Sequence, residues 1–467
     1  MSAHKDSFGK LIPAPREINK TGDKKFLIKK DPAIYANFEE VNKLDFLLKL
    51  CGFKNKPVLN QENTACNDIL LLHVGEDENN DLVPKFSGQE AYAIEITDKA
   101  ITIASRSIKG AAYALKTLAK LSNGAHELPA LVIQDVPDIK FRGVHLCIFY
   151  PEDGTEKEDT GPEDIEKMIL LAAMSGYNHV ALEFWGMFPY QRRPYACWPN
   201  TLYPKKVLKR IVNYALDDLH IIPIPCQNMT SHAGWSRIIS RKHVVLDQRP
   251  DLADMWIPGG WCFATENADT KAYLRDLMEE LLETYKNPPF FHACCDKAFG
   301  FGSTEKDRTK SADLLFGNHL CFLNSFLQEH GARMVMWADM LYTSMDALYW
   351  KASPNLIDML PRNILMNIWT HNDPGQHWWD VNFFQNKGFQ TIYSPFIDRN
   401  GVRSMINVCK DKGSFGILQT TWHKPQTARD SVVFSGAFQW QGREMKDIDT
   451  KGFIKKWYDK IQRRTAR

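Results

Sequence analysis

No run of about 20 consecutive apolar residues occurs anywhere in the chain, so a membrane-spanning helix is not expected. The opening residues, MSAHKDSFGKLIPAPREI, hold no apolar core of the kind a secretory signal carries. The ten cysteines are scattered and lack the paired spacing of a disulfide framework, and no CxxC or HxxxH cluster suggests a structural zinc. The neighbours Cys294 and Cys295 are badly placed to bridge each other. Charge of one sign is missing as well. Lys and Arg number 58 against 56 Asp and Glu, which leaves no field to draw in nucleic acid or an acidic membrane surface. These absences predict a cytoplasmic protein with mostly free thiols and neither a nucleic-acid nor a membrane partner.

What is present is a chain of 467 residues, enough for two or three domains at ~100–200 residues each. Apolar residues make up 44%, ordinary for a globular protein. Tryptophan is abundant, with 13 copies. Two readings of that abundance are open: a large aromatic core, or sugar recognition, in which an indole face covers the C–H face of a pyranose. The position of each Trp must decide.

Residues 1–138 read as a small α+β domain. AYAIEIT (91–97) and AITIASR (100–106) alternate as half-buried strands do, and the turn at Asp98-Lys99 makes them a hairpin. SIKGAAYALKTLAKL (107–121) then carries apolar residues at helical spacing behind a Ser able to cap it. LPALVIQDVPDI (128–139) is a strand-like run broken by proline.

Residues 139–440 alternate strand and helix. Eight short apolar runs stand out: 141–149, 178–184, 220–227, 289–295, 333–339, 363–369, 388–394 and 416–422. Amphipathic helical stretches such as 164–176, 208–219, 270–285 and 312–331 separate them, and Gly176 and Gly331 mark two helix ends. Alternating βα units imply parallel strands with right-handed crossovers. Eight units in roughly 300 residues fit a closed (β/α)8 TIM barrel. A doubly wound open sheet is the alternative, but no Gly-rich phosphate loop follows the first strand. Residues 441–467 form a basic tail, expected to be helical with its charges on a solvated face.

Active sites of such barrels lie at the C-terminal ends of the strands. That rule selects Arg142 and His145 on strand one, Glu183 and Trp185 on strand two, and Gln227 and the loop residue His232 after strand three. Strand four ends in His292, Asp296 and Lys297, and strand five in Trp337 and Asp339. Strand six ends in Trp369, with His371 and Asp373 beyond. Strand seven ends in Tyr393, and strand eight in Trp422 and His423. Three strands thus end in Trp, where barrel cores prefer branched aliphatic side chains. For each charged residue alone a local salt bridge is an equal reading; their common location favours a ligand site.

These residues carry a family likeness. FRGVHL (141–146), FHACCDKAFGFG (291–302), MWADM (336–340) and TTW (420–422) resemble family 20 glycoside hydrolases, the β-N-acetylhexosaminidases. EFWGMFPY (183–190) resembles the hexosaminidase D-like branch, and HAGWSRIISRKHVVLDQRPDL (232–252) looks like bacterial members of the group. LIPAPREI (11–18) and the helix at 107–121 resemble the small domain that precedes the barrel in this family. The resemblance implies retaining, substrate-assisted hydrolysis, in which the 2-acetamido oxygen of the sugar attacks the anomeric carbon and no enzyme nucleophile is needed. An Asp-Glu pair at the end of strand four then orients the acetamido group and protonates the leaving oxygen. By this likeness Asp296 is the orienting aspartate and Arg142 holds sugar hydroxyls. Trp337, Trp369 and Trp422 wall the acetamido pocket, Tyr393 donates to the acetamido oxygen, and His232 and Asp339 join the binding set; Glu183 is added to it by its place at the strand-end rim, as a polar group suited to sugar hydroxyls. The implied ligand is a small molecule or oligosaccharide bearing N-acetylhexosamine. Neither metal nor organic cofactor is implied.

The departure is at the acid. Lys297 stands where the family has its general-acid Glu, and Ala293 and Cys294 stand where small residues, often glycine, are usual. A lysine at its reference pKa of ~10.4 stays protonated and is a poor acid for a glycosidic oxygen. Burial lowers such a pKa, while the neighbouring Asp296 holds the charge. Three functions remain open: an exo-hexosaminidase using Lys297 unconventionally or recruiting an acid such as Glu183, a carbohydrate-binding pseudoenzyme in which Lys297 pairs with Asp296, and a barrel enzyme with Lys297 as amine nucleophile or base.

Overall fold

The computed structural model describes residues 11–28, 32–59, 69–75, 82–122, 127–148, 161–199, 201–234, 242–341, 354–369, 378–422, 425–441 and 448–458. Two bodies of secondary structure are visible. The first is a seven-stranded mixed sheet, running in the order Glu17–Leu27, Glu127–Asp135, Tyr92–Ile96, Ala100–Ser105, Ile69–Val74, Ala33–Ala36, Val58–Leu59. The expected hairpin is there, with Tyr92 opposite Ser105 and Ile96 opposite Ile101. The expected helix spans Ile108–Ser122, and the Ser107 hydroxyl accepts from the Lys109 amide at 3.1 Å. This helix is buried on nearly every side, because the sheet covers one face and the second body the other. Tyr113 donates to the Tyr177 carbonyl at 3.0 Å and Lys120 to that of Met174 at 3.3 Å, both across that boundary.

The second body is a closed parallel barrel. Its strands, labelled β1 to β8 around the ring, are Phe141–Ile148, His179–Phe184, Ile222–Cys226, Phe290–His292, Arg333–Trp337, Leu365–Trp369, Thr391–Ser394 and Gly416–Gln419. All eight apolar runs of the sequence are barrel strands. They read as continuous apolar runs because one face packs inside the barrel and the other against helices; every residue of β1 is buried. The ring closes where Gly416 of β8 faces Phe141 of β1, and a Cβ at 416 would run into the Phe141 carbonyl, so the seam requires glycine.

Helices fill the crossovers. Asn267 caps Ala268–Thr284 by accepting from the Asp269 amide at 2.8 Å, and Ser311 caps Ala312–Glu329 from Leu314 at 3.3 Å. The stretch expected at 208–219 starts earlier, behind Pro204, as Lys205–Asn213, and its last turn widens to a π-helical turn at Tyr214–Asp218. The described part of the tail is helical, with Lys451 and Lys455 exposed. Helix Thr450–Tyr458 buries Phe453, Trp457 and Tyr458, and Lys456 donates to the Lys120 carbonyl at 3.2 Å, so this part packs on the fold. Among the described residues no helix is long and apolar enough to cross a membrane.

Arg142 is not a sugar-binding residue in this fold, contrary to the expectation from sequence. As the second residue of β1 it lies at the N-terminal end of the barrel, opposite the rim where strands end. Its guanidinium is fully buried and spent locally. It donates to Glu90 at 2.8 Å, to the Gly176 carbonyl at 2.8 Å, to the Ile139 carbonyl at 2.6 Å and to Tyr113 Oη at 3.0 Å. It also lies 5.0 Å from the ring of Trp440, whose indole donates to Asp135 of the small sheet at 2.9 Å. Arg142 therefore joins barrel to sheet. Arg142→Met strips the largely buried Glu90 of its hydrogen-bonded cation, leaving only the more distant charges of Lys109 and Lys116, which should cost about 3–5 kcal/mol of stability. Urea unfolding checks this, and sugar affinity of the folded variant should equal that of the wild type.

Candidate active site

The site is built where β4 ends. The run read as a strand to residue 295 stops at His292, because Cys294 and Cys295 adopt left-handed backbone with φ of 56° and 67°. Lys297 does the same with φ of 47°. Non-glycine residues occupy this region at an energetic cost, so three of them within four positions mark a turn that the surroundings hold in place. The turn lifts Asp296 and Lys297 above the barrel mouth.

There Lys297 Nζ donates to Asp296 Oδ2 at 2.8 Å. The Asp296 side chain is only 9% exposed, that of Lys297 44%. His232, on the loop after β3, approaches the same carboxylate with Nε2 at 3.6 Å. Burial alone pushes the Asp296 carboxyl up, but the charge of Lys297 and the His232 imidazole outweigh it and hold the group well below the usual carboxylate range. Burial likewise favours a neutral Lys297; the carboxylates of Asp296 and Asp339 outweigh it and raise the amine above its ordinary value. Each partner thus fixes the other in its charged form.

Asp339, just beyond β5, is the third charged group. Burial, reinforced by the charge of Asp296, pushes its carboxyl up to about 6, opposed by Lys297 and a hydrogen bond with Trp369. Its Oδ2 lies 3.5 Å from the Lys297 amide, and its Oδ1 is buried with no hydrogen-bond partner among the described residues.

The aromatic residues fall in two groups. Trp369, at the end of β6, lies with its ring 5.1 Å from Lys297 Nζ. Trp337 and Trp422 lie 5.2 Å apart, with Trp337 packed 4.4 Å from His292 and Trp422 4.9 Å from His145. Glu183 sits among these rings inside the barrel. Its oxygens meet His145 Nε2 and Asn228 Nδ2, each at 2.8 Å.

The structure therefore brings together Asp296, Lys297, His232, Asp339 and Trp369, with Trp337, Trp422 and Glu183 close beneath. Arg142 is elsewhere, as described. Tyr393 also departs from expectation. Ile392 packs inside the barrel and the Ser394 hydroxyl bonds Asn367 there at 2.7 Å, so strand alternation turns the intervening Tyr393 outward. Its hydroxyl accepts from Ser414 at 3.4 Å in the helix layer. His371, Asp373 and His423 lie outside the described residues. Sequence reasoning missed Trp261, whose indole donates to the Lys297 carbonyl at 2.9 Å and packs 4.4 Å from His232. It belongs to a long loop, where the strand-end rule does not look; the preceding Gly259-Gly260 turn was the available signal.

Asp339 supplies a pH test. Its raised pKa means that protonation favours the folded site, a contribution complete below the ordinary aspartate range and lost as pH rises through about 6. Tryptophan fluorescence should show a step near that pH as the carboxylate forms beside Trp369, and Asp339→Asn should remove the step.

Sequence profiles place this architecture among known proteins. The profile described as "Glycosyl hydrolase family 20, domain 2" matches residues 9–136, and "Glycosyl hydrolase family 20, catalytic domain" matches residues 191–401. Among solved structures, the chain is similar to a β-N-acetylhexosaminidase from Bacteroides fragilis at 15% identity and TM-score 0.72, covering 98% of this chain and 96% of that one. It is similar also to a β-N-acetylhexosaminidase from Streptomyces coelicolor, at 14% identity and TM-score 0.68, covering 97% of both chains. A third is the N-acetyl-β-hexosaminidase of Streptomyces plicatus in complex with Thio-NAglucal, at 15% identity and TM-score 0.67, covering 97% of this chain and 95% of that one. Identities this low speak to the fold.

Proposed function

Because the chain belongs to glycosyl hydrolase family 20, we propose that its barrel mouth recognises a terminal N-acetylhexosamine through Asp296 and the walls of Trp337, Trp369 and Trp422, and that Lys297 has replaced the proton donor. The single observation that carries this reading is the 2.8 Å ion pair between Lys297 Nζ and Asp296 Oδ2. In the substrate-assisted scheme the acetamido oxygen attacks the anomeric carbon while a carboxylate orients the acetamido nitrogen. Asp296 keeps the charge for that task. Proton delivery to the leaving oxygen is what an ammonium held by two carboxylates performs badly, since its pKa is raised. Sugar binding is accordingly retained, and hydrolysis of ordinary glycosides is lost or slowed.

Nitrophenyl N-acetylglucosaminide and N-acetylgalactosaminide, whose aglycones leave without strong acid assistance, are the discriminating substrates. Lys297→Glu should exceed the wild type by about 10²–10⁴-fold on N-acetylhexosaminides with a poor sugar or alkyl leaving group, the typical worth of general acid catalysis, and by less on the nitrophenyl glycosides. Wild-type turnover equal to or above that of Lys297→Glu, and abolished by Asp296→Ala, would sink the reading.

One observation favours a second reading, in which the wild type turns over with a different donor. Asp339, with its pKa near 6 and an unpartnered Oδ1, is a protonated carboxyl at mildly acidic pH beside the same pair. On that reading wild-type hydrolysis falls as pH rises through about 6 and disappears in Asp339→Asn, while Asp339→Glu keeps part of it.

A further inference from the structure

Beneath the charged pair, three ligand-type side chains meet inside the barrel. Cys226 ends β3, His292 ends β4, and the two are direct neighbours across the parallel ladder. Cys294 follows two residues later, where its left-handed φ of 56° turns the chain back toward the interior. Its sulfur lies 3.6 Å from that of Cys226. One potential ligand atom from each of Cys226, His292 and Cys294 falls within 4.8 Å of the others, and all three residues are buried. We propose that these residues form a binding site for a divalent zinc-type ion.

The distances decide between ways of using two thiols. A disulfide holds its sulfurs at ~2.05 Å, far closer than here. Two thiolates on a tetrahedral zinc, each ~2.3 Å from the metal, stand about 3.8 Å apart. The separation of 3.6 Å between these sulfurs is near that value. Soft thiolates with one imidazole select zinc over magnesium or calcium, which prefer oxygen. Charge agrees as well. Two thiolates neutralise a divalent cation, so a neutral unit is buried among Ala181, Ile224, Val335, Leu365 and Leu418. The fourth position falls to the His145–Glu183 pair: Glu183 Oε1 is 3.8 Å from Cys294 Sγ, and its Oε2 meets Nε2 of the fully buried His145 at 2.8 Å. His292 Nε2 meets the Asn367 amide at 3.0 Å and its Nδ1 accepts from the Cys294 amide at 3.2 Å; a bound ion would replace one of these two bonds while the other orients the imidazole.

The ion would pin the strained turn that carries Asp296 and Lys297 to the barrel interior. This proposal is independent of whether the chain hydrolyses sugars. The test is metal analysis of the purified full chain expressed with zinc, followed by cobalt exchange. The expected result is one zinc per chain, replaced by cobalt with the near-ultraviolet thiolate-to-cobalt charge-transfer absorption. Cys226→Ser and Cys294→Ser lose the metal, whereas Cys321→Ser, a half-buried thiol on the helix Ala312–Glu329, keeps it. Should the two serine variants fail to fold, the wild type still decides. Chelation should lower its melting temperature and added zinc should restore it. A folded wild type with no stoichiometric metal and no thiolate-to-cobalt band overturns the proposal, as does a Cys226–Cys294 disulfide found by mass spectrometry under non-reducing conditions.

Discussion

The ion pair between Asp296 and Lys297 is the contact on which the character of the site depends. The two residues are adjacent in sequence, and with left-handed backbone at Lys297 its side chain folds back over its neighbour. The pair is lodged between a histidine on one side and a second carboxylate on the other, in a mouth walled by indoles. In such surroundings a lone carboxylate and a lone amine would each drift toward neutrality. Together they keep both charges. The ammonium thus keeps its proton beside the carboxylate.

The rest of the fold serves to present that turn. The parallel ladder sets Glu183, Cys226 and His292 side by side at one level of the barrel, so the layer under the turn is polar although aliphatic side chains fill the levels below. At the opposite end Arg142, Trp440 and Asp135 join barrel and sheet through buried hydrogen bonds. Catalytic-type residues gather at one face and stabilising ones at the other, the division usual in these barrels.

The barrel was legible in the sequence because each strand is a short apolar run bounded by amphipathic helix, and the helix starts were legible because Asn267 and Ser311 are caps. The site was legible where a residue follows a strand, as Asp296, Lys297 and Asp339 do. It failed where position within the strand mattered. Arg142 begins β1 instead of ending it, and Tyr393 points outward by the two-residue period that strands obey. The cluster of Cys226, His292 and Cys294 escaped because a search for closely spaced motifs sees only one strand at a time. These ligand types come from neighbouring strands 68 residues apart in sequence.

The most direct measurement is the ionisation of Lys297 itself, followed by NMR of its side-chain nitrogen across a pH titration, with Asp296→Asn as reference. A held ammonium predicts no titration until above the ordinary lysine value of ~10.4, and a lower midpoint in Asp296→Asn. A Lys297 that loses its proton near neutrality, alike in both proteins, would contradict the account and return the residue to the ranks of usable acids and bases.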